Sequence, residues 1–218
     1  RKPVNVAFVL DRSGSMGGQK IELARQAVVA AIHALRSEDR FSVAVYDDVV
    51  DLVVAATAAT PGARAAAESA VREVQARNMT NLAGGWLLGC EQVAAVLQEG
   101  DVARCLLMTD GLANAGITDP GEIVRHAREL AVRGVATTTF GVGQDFNEVL
   151  LHDMAQAGNG NFYYIEQAGQ IPDCIAGEVG EALEVVARDA RLHVDAPTGC
   201  SVSSLNDRPT TRDGAHTS

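Results

Sequence analysis

Asp11, Ser13 and Ser15 stand on alternate residues of one short stretch, so a single turn presents a carboxylate and two hydroxyls. All three are hard oxygen donors, the type that magnesium and manganese take. A second aspartate, Asp110, is followed by Gly111 and closes another short apolar run. Two acids brought to one place repel each other unless a cation lies between them. Metal binding is therefore the first chemistry these residues suggest. Ser, Asp and Gly are also ordinary turn formers and helix caps, and the first loop taken alone fits that reading. The pairing with Asp110 moves the balance toward the metal. A phosphate-cradling loop fits poorly. Counted from Gly14, the GxxxxGK[ST] pattern meets Gln19 where glycine is needed and Ile21 where Ser or Thr should stand.

Both acids need elements that carry them to one edge. Residues 4–10 form an apolar run that reads as a buried parallel strand, and helical spacing from Ile21 to Leu35 follows it. Residues 41–46 and 49–54 read as two strands joined by a tight turn at Asp47 and Asp48, an antiparallel pair. Those two acids are expected to be turn residues rather than ligands. Pro61 and Gly62 open a helix expected to end near Arg77, and Ala83 to Leu97 form another, with Trp86 in the core. Small residues at the start of that second helix predict close backbone approach to the site. A strand over 104–110 and a helix over 122–133 follow. A strand over 135–140, a helix over 147–157, a short strand over 162–165 and a helix over 171–186 complete the alternation. The expected fold is α/β: a Rossmann-like, doubly wound, mostly parallel sheet with one antiparallel edge strand and helices on both faces. In such a sheet ligands bind at the carboxyl ends of the strands, where Asp11 and Asp110 both fall. Gly141 and Gly143 begin a GxGxxG-like string, but Phe146 occupies the third glycine position, which argues against a dinucleotide. His33, His126 and His152 fall on different helices and are expected at the surface or the edge of the core.

The chain has 18 Lys and Arg against 28 Asp and Glu, a formal charge of −10, which argues against nucleic acid or an anionic membrane as partner. No run of about 18 apolar residues exists, so no membrane contact is expected from this stretch. Cys90, Cys105, Cys174 and Cys200 are widely spaced without a CxxC pair. A reducing cytoplasm is the simplest fit, with an extracellular or membrane-anchored full-length protein left open. Arg1 in place of methionine leads us to expect a fragment of a longer chain. The length suits one α/β domain over 1–186. Residues 187–218, with an alternating piece at 191–197 and a polar end, are expected to be the start of a β-rich module or a flexible tail.

Asp11, Ser13 and Ser15 after the first strand, Thr80 within 79–82, and Asp110 within 108–111 resemble the metal-ion-dependent adhesion site (MIDAS) of von Willebrand factor type A domains. The resemblance covers roughly 3–186, in the right order of elements. It implies a Mg²⁺ or Mn²⁺ ion above the sheet, with Ser13 and Ser15 as direct ligands and Thr80 direct in the open state. Asp11 and Asp110 would act directly or through water. The alanine-rich sequence and the segment after 188 are most similar to prokaryotic members. Neutral hydroxyl ligands would leave the ion electron-poor, so the expected partner is a protein that supplies a carboxylate. A Mg²⁺-dependent phosphoryl hydrolase is the alternative from another class, but it usually carries a second carboxylate two residues after its nucleophile, where this chain has Ser13. A non-catalytic subunit of an ATPase-driven complex is a further alternative. Truncation after Ala187 is expected to leave the melting temperature of the domain nearly unchanged, a result readable by calorimetry.

Overall fold

The computed structural model describes residues 2–77 and 79–184. Among them, six strands form one sheet in the order β3-β2-β1-β4-β5-β6. The strands are β1 (Val4–Asp11), β2 (Arg40–Tyr46), β3 (Val50–Ala58), β4 (Val102–Thr109), β5 (Val135–Val142) and β6 (Asn159–Ile165). The helices are α1 (Gln19–Ala34), α2 (Pro61–Arg72), α3 (Leu82–Ala95), α4 (Pro120–Val132), α5 (Glu148–Ala157) and α6 (Ile171–Leu183). Only β3 runs antiparallel to its neighbour, so the sheet is the expected Rossmann-like, mostly parallel one. The expected module or tail over 187–218 lies outside the described residues.

β1 is buried along its whole length because both its faces are covered. Val4, Val6, Phe8 and Leu10 pack with α1, α2 and α6, while Ala7 and Val9 point the other way, toward α3. This alternation follows from the pleat, in which successive side chains leave opposite faces. Helix starts are set locally. Thr60, Asn81, Asp119 and Asn147 each accept a hydrogen bond from a backbone N–H of the first turn they precede, and Pro61 and Pro120 occupy first helical positions.

Two boundaries differ from the sequence reading by four residues or more. α2 stops at Arg72 rather than near Arg77, because Arg25 on α1 donates its Nη1 to the carbonyls of Arg72 and Val74, 2.8 Å each. That contact draws the chain out of the helix and over the sheet edge. β3 continues to Ala58, four residues past the expected end, since β2 offers a ladder partner as far back as Arg40. Glu178 on α6 was not singled out by its sequence context. It is fully buried, yet satisfied by Thr138 (2.7 Å), Asn161 (2.9 Å), Tyr163 (3.0 Å) and an ion pair with Arg104 (3.1 Å). The Tyr163 hydroxyl is pushed upward in pKa by burial and by the Glu178 charge. This network fastens α6 to β4, β5 and β6.

The small residues of α3 serve the sheet rather than the site directly. A Cβ on Gly85 would stand 2.3 Å from the Tyr46 ring, and one on Gly89 would stand 2.3 Å from Val9 Cγ2. No side chain fits at either point without moving the strand or the helix. Gly85→Ala and Gly89→Ala are each expected to destabilise the domain by about 2 kcal/mol, despite alanine's better helix propensity. A lowered urea midpoint checks this.

Candidate metal centre

β1 and β4 are adjacent and parallel, with Leu10 level with Met108. Asp11, the last residue of β1, is therefore level with Thr109, and Asp110 leaves the sheet one step later at the same edge. Ser13 begins a tight turn in which the Met16 N–H donates to the Ser13 carbonyl at 3.0 Å, so Ser13 and Ser15 fold back over Asp11. Asp11 Oδ1 accepts the Ser13 N–H at 2.7 Å, and Asp11 Oδ2 accepts the Thr109 hydroxyl at 2.6 Å. The hydroxyls of Ser13 and Ser15 lie 3.2 Å apart, and Ser15 donates to Asp110 Oδ1 at 2.6 Å. Lys20 Nζ lies 2.5 Å from Asp110 Oδ2. Asp11, Ser13, Ser15 and Asp110 thus form one hydrogen-bonded chain. Asp11, Ser13 and Asp110 are buried, and Ser15 faces solvent.

Thr80 reaches the same place from the loop between α2 and α3. Its N–H donates to Asn114 Oδ1 at 2.9 Å, and its carbonyl accepts the N–H groups of Asn114 (3.1 Å) and Ala115 (3.2 Å). A Cβ placed on Gly111 would lie 3.7 Å from Thr80 Oγ1 and 3.8 Å from Ser15 Oγ. The two hydroxyls therefore look onto one spot above Gly111, which glycine leaves open.

The electrostatics are those of two carboxylates removed from water. Burial raises the pKa of Asp11, the bonds from Ser13 and Thr109 oppose that rise, and the charge of Asp110 adds to it. Tyr46 lies beneath, donating its hydroxyl to the Met108 carbonyl at 3.2 Å. Burial, then the negative charge of Asp11, drives its pKa well upward. Among the described residues no group of three or more His, Cys, Asp or Glu side chains is arranged to hold a metal ion. A cation at this edge would thus be held by two carboxylates and three hydroxyls. That hard, mostly neutral oxygen set fits Mg²⁺ or Mn²⁺, which keep part of their shell for water or an outside ligand.

Arg12, between Asp11 and Ser13, points away from the centre into a clamp. Its guanidinium pairs with Asp47 at 3.3 Å and with Asp51 at 2.5 Å, and Arg77 pairs with Asp47 at 2.5 Å. Asp47 also accepts the Val49 N–H at 2.8 Å. The Arg77 N–H donates to the Arg12 carbonyl at 2.7 Å, and the Asn81 N–H donates to the Asp47 carbonyl at 2.7 Å. Asp47 is therefore a structural turn residue, and it locks the first loop to the segment that delivers Thr80. Asp48 is exposed on the same turn. Sequence reasoning did not single out Thr109, Asn114 or the Asp110 pairing of Lys20. Thr109 was the findable one, being the strand residue just before Asp110. His33, His126 and His152 lie on α1, α4 and α5 and pair with Glu68 of α2, with Glu122 and Glu129, and with Asp153. Phe146 packs against Gly141, filling the space a dinucleotide loop would need.

The sequence model of the von Willebrand factor type A domain matches residues 5–176. YfbK of Escherichia coli (strain K12) is 29% identical over 193 residues, covering 88% of this chain and 33% of YfbK. The chain thus spans about a third of the length of that relative. Among solved structures, a von Willebrand factor type A protein from Catenulispora acidiphila superposes with a TM-score of 0.75 at 21% identity, covering 84% of this chain and 43% of the other. Proximal thread matrix protein 1 of the mussel byssus, with a zinc-occupied MIDAS motif, superposes with a TM-score of 0.69 at 16% identity, covering 84% and 49%. At these identities the two structures speak for the fold. Among the described residues no helix is long and apolar enough to cross a membrane.

The clamp carries a pH signature. Burial opposes ionisation of Asp47, but the bonds from Val49, Arg77 and Arg12 outweigh it and hold the carboxyl below its ordinary pKa. A depressed folded-state pKa stabilises above the unfolded value of about 3.9, and this contribution is lost as pH falls through the folded one. Asp47→Asn is expected to cost about 2 kcal/mol at pH 7, with the gap from wild type narrowing as pH falls below about 4. Urea melts across pH 3 to 7 measure both.

Proposed function

The chain belongs to the von Willebrand factor type A family, and on that premise we propose that it is a metal-dependent recognition module that binds an acidic residue of a partner protein. Domains of this family are protein-interaction modules, generally without catalytic activity. The observation that carries the reading is the hydrogen-bonded chain from Asp11 through Ser13 and Ser15 to Asp110, with the Thr80 hydroxyl facing the same spot over Gly111.

In this reading Ser13, Ser15 and Thr80 would supply neutral oxygens, and Asp11 and Asp110 would hold the ion directly or through water. A bound Mg²⁺ or Mn²⁺ supplies an exposed positive charge able to accept one outside carboxylate. The chain's own residues do the rest. Thr109 and the Ser13 N–H fix the Asp11 carboxylate, Asn114 fixes the Thr80 backbone, and the Arg12 clamp fixes the turn between them. Met79 and Leu112 are exposed, at 53% and 55%, on the loops that carry Thr80 and Asp110. They give the rim apolar surface suited to a protein partner rather than a small ion. With a net charge of −10, the domain repels acidic partners at long range, so metal occupancy decides whether they dock. A phosphoryl hydrolase finds less support, because Ser13 stands where the second carboxylate belongs and, among the described residues, His33, His126 and His152 lie on helices away from the site.

Asp11→Ala and Asp110→Ala are each expected to abolish Mn²⁺ binding in calorimetric titration while the circular dichroism spectrum stays native, since the loops sit above a separately packed core. Protein retained on the immobilised domain in Mg²⁺ should be released by EDTA, and the Thr80→Ala variant should not retain it. Unchanged Mn²⁺ affinity in both aspartate variants would refute the site. Retention that survives EDTA would move recognition elsewhere on the surface.

A further inference from the structure

Lys20 lies in the first turn of α1, near the helix N-terminus, where the aligned peptide dipoles disfavour a positive side chain. Its ammonium nevertheless turns to the strand edge and contacts Asp110 Oδ2 at 2.5 Å. A Cβ on Gly143, just beyond β5, would lie 3.6 Å from the same Nζ, so the amine is held between the ends of β4 and β5. Asp110 is then committed on both oxygens, Oδ1 to the Ser15 hydroxyl and Oδ2 to Lys20. The carboxylate side chain is fully buried and the lysine side chain is 30% exposed.

We propose that Lys20 is a built-in competitor of the divalent cation for Asp110, and that it sets the cation concentration at which the site fills. The proposal rests on the metal reading given above. A divalent ion held by Ser13, Ser15 and Thr80 needs the negative charge of Asp110, and that charge is already shared with an ammonium. Binding must either displace the ammonium or take place beside it, against the repulsion of like charges a few ångströms apart. Either way Lys20 weakens cation binding. Its partial exposure gives the displaced amine a route to water along a flexible stem, so the exchange is reversible. In exchange, Lys20 neutralises part of the Asp11 and Asp110 charge, which burial makes costly, and so supports the fold whenever the divalent ion is scarce.

The test is calorimetric titration of Mn²⁺ into the full chain as wild type, Lys20→Met, Lys20→Arg and Asp110→Ala, with thermal melts of each in EDTA. Lys20→Met keeps the apolar stem and removes the charge; Lys20→Gln serves if that variant does not fold. The expected result is Mn²⁺ affinity about tenfold tighter in Lys20→Met, near wild type in Lys20→Arg, and a lower melting temperature for Lys20→Met in EDTA. A merely structural lysine would give the opposite sign, with weaker binding in Lys20→Met. Equal or weaker binding by the folded Lys20→Met protein overturns the proposal while leaving the metal reading standing, provided that Asp110→Ala binds no Mn²⁺. Absence of Mn²⁺ binding in wild type and Lys20→Met alike overturns both.

Discussion

Two carboxylates buried at the ends of adjacent parallel strands are the constraint around which this domain is arranged. Asp11 and Asp110 have almost no access to water, and the energetic cost shows in the raised pKa of Asp11 and of Tyr46 beneath it. Four nearby donors are turned toward them: the Ser13 N–H, the Thr109 and Ser15 hydroxyls, and the Lys20 ammonium. Such an arrangement persists only on a rigid base. The two strands that carry the acids are the central pair of the sheet, buried on both faces, and the glycine face of α3 lets Tyr46 and Val9 come in close beneath.

The loops are ordered by the protein itself. On one side Asp47 gathers Arg12, Arg77 and the Val49 N–H, and its carbonyl takes the Asn81 N–H. On the other side Asn114 binds the backbone of Thr80 in both directions. The Thr80 hydroxyl is thereby delivered by contacts that involve none of the proposed ligands. A cation arriving at such an edge meets donors already in place and spends little of its binding free energy on ordering them.

Whether a feature was legible in the sequence depended on how local its cause is. β1 and β4 were plain because each is an apolar run closed by an aspartate, and the β2 to β3 hairpin because Asp47 and Asp48 interrupt two β-branched stretches. Thr80 carried no pattern of its own. A threonine in a loop is unremarkable to composition or periodicity, and only the family resemblance marked it. The end of α2 was misjudged because its cause is Arg25, 47 residues away from Arg72, and no local signal reports a side chain capping from another helix. Glu178 looked like one more acid on a helix, since its four partners come from three different strands. The Lys20 contact with Asp110 spans 90 residues and was invisible for the same reason.

The balance of donors also bears on what the proposed centre selects. Three hydroxyls give a cation little charge compensation, and the two carboxylates beneath it already share their charge with Thr109, Ser15 and Lys20. An ion held in this way would stay electrophilic, so an outside carboxylate would gain more there than water or an amide. A third carboxylate in place of Ser13 or Ser15 would hold the ion more tightly and remove that preference. Tight metal binding and recognition of an acidic partner therefore pull in opposite directions. On the proposed reading, the serines, together with the Lys20 contact on Asp110, would favour recognition over tight metal binding.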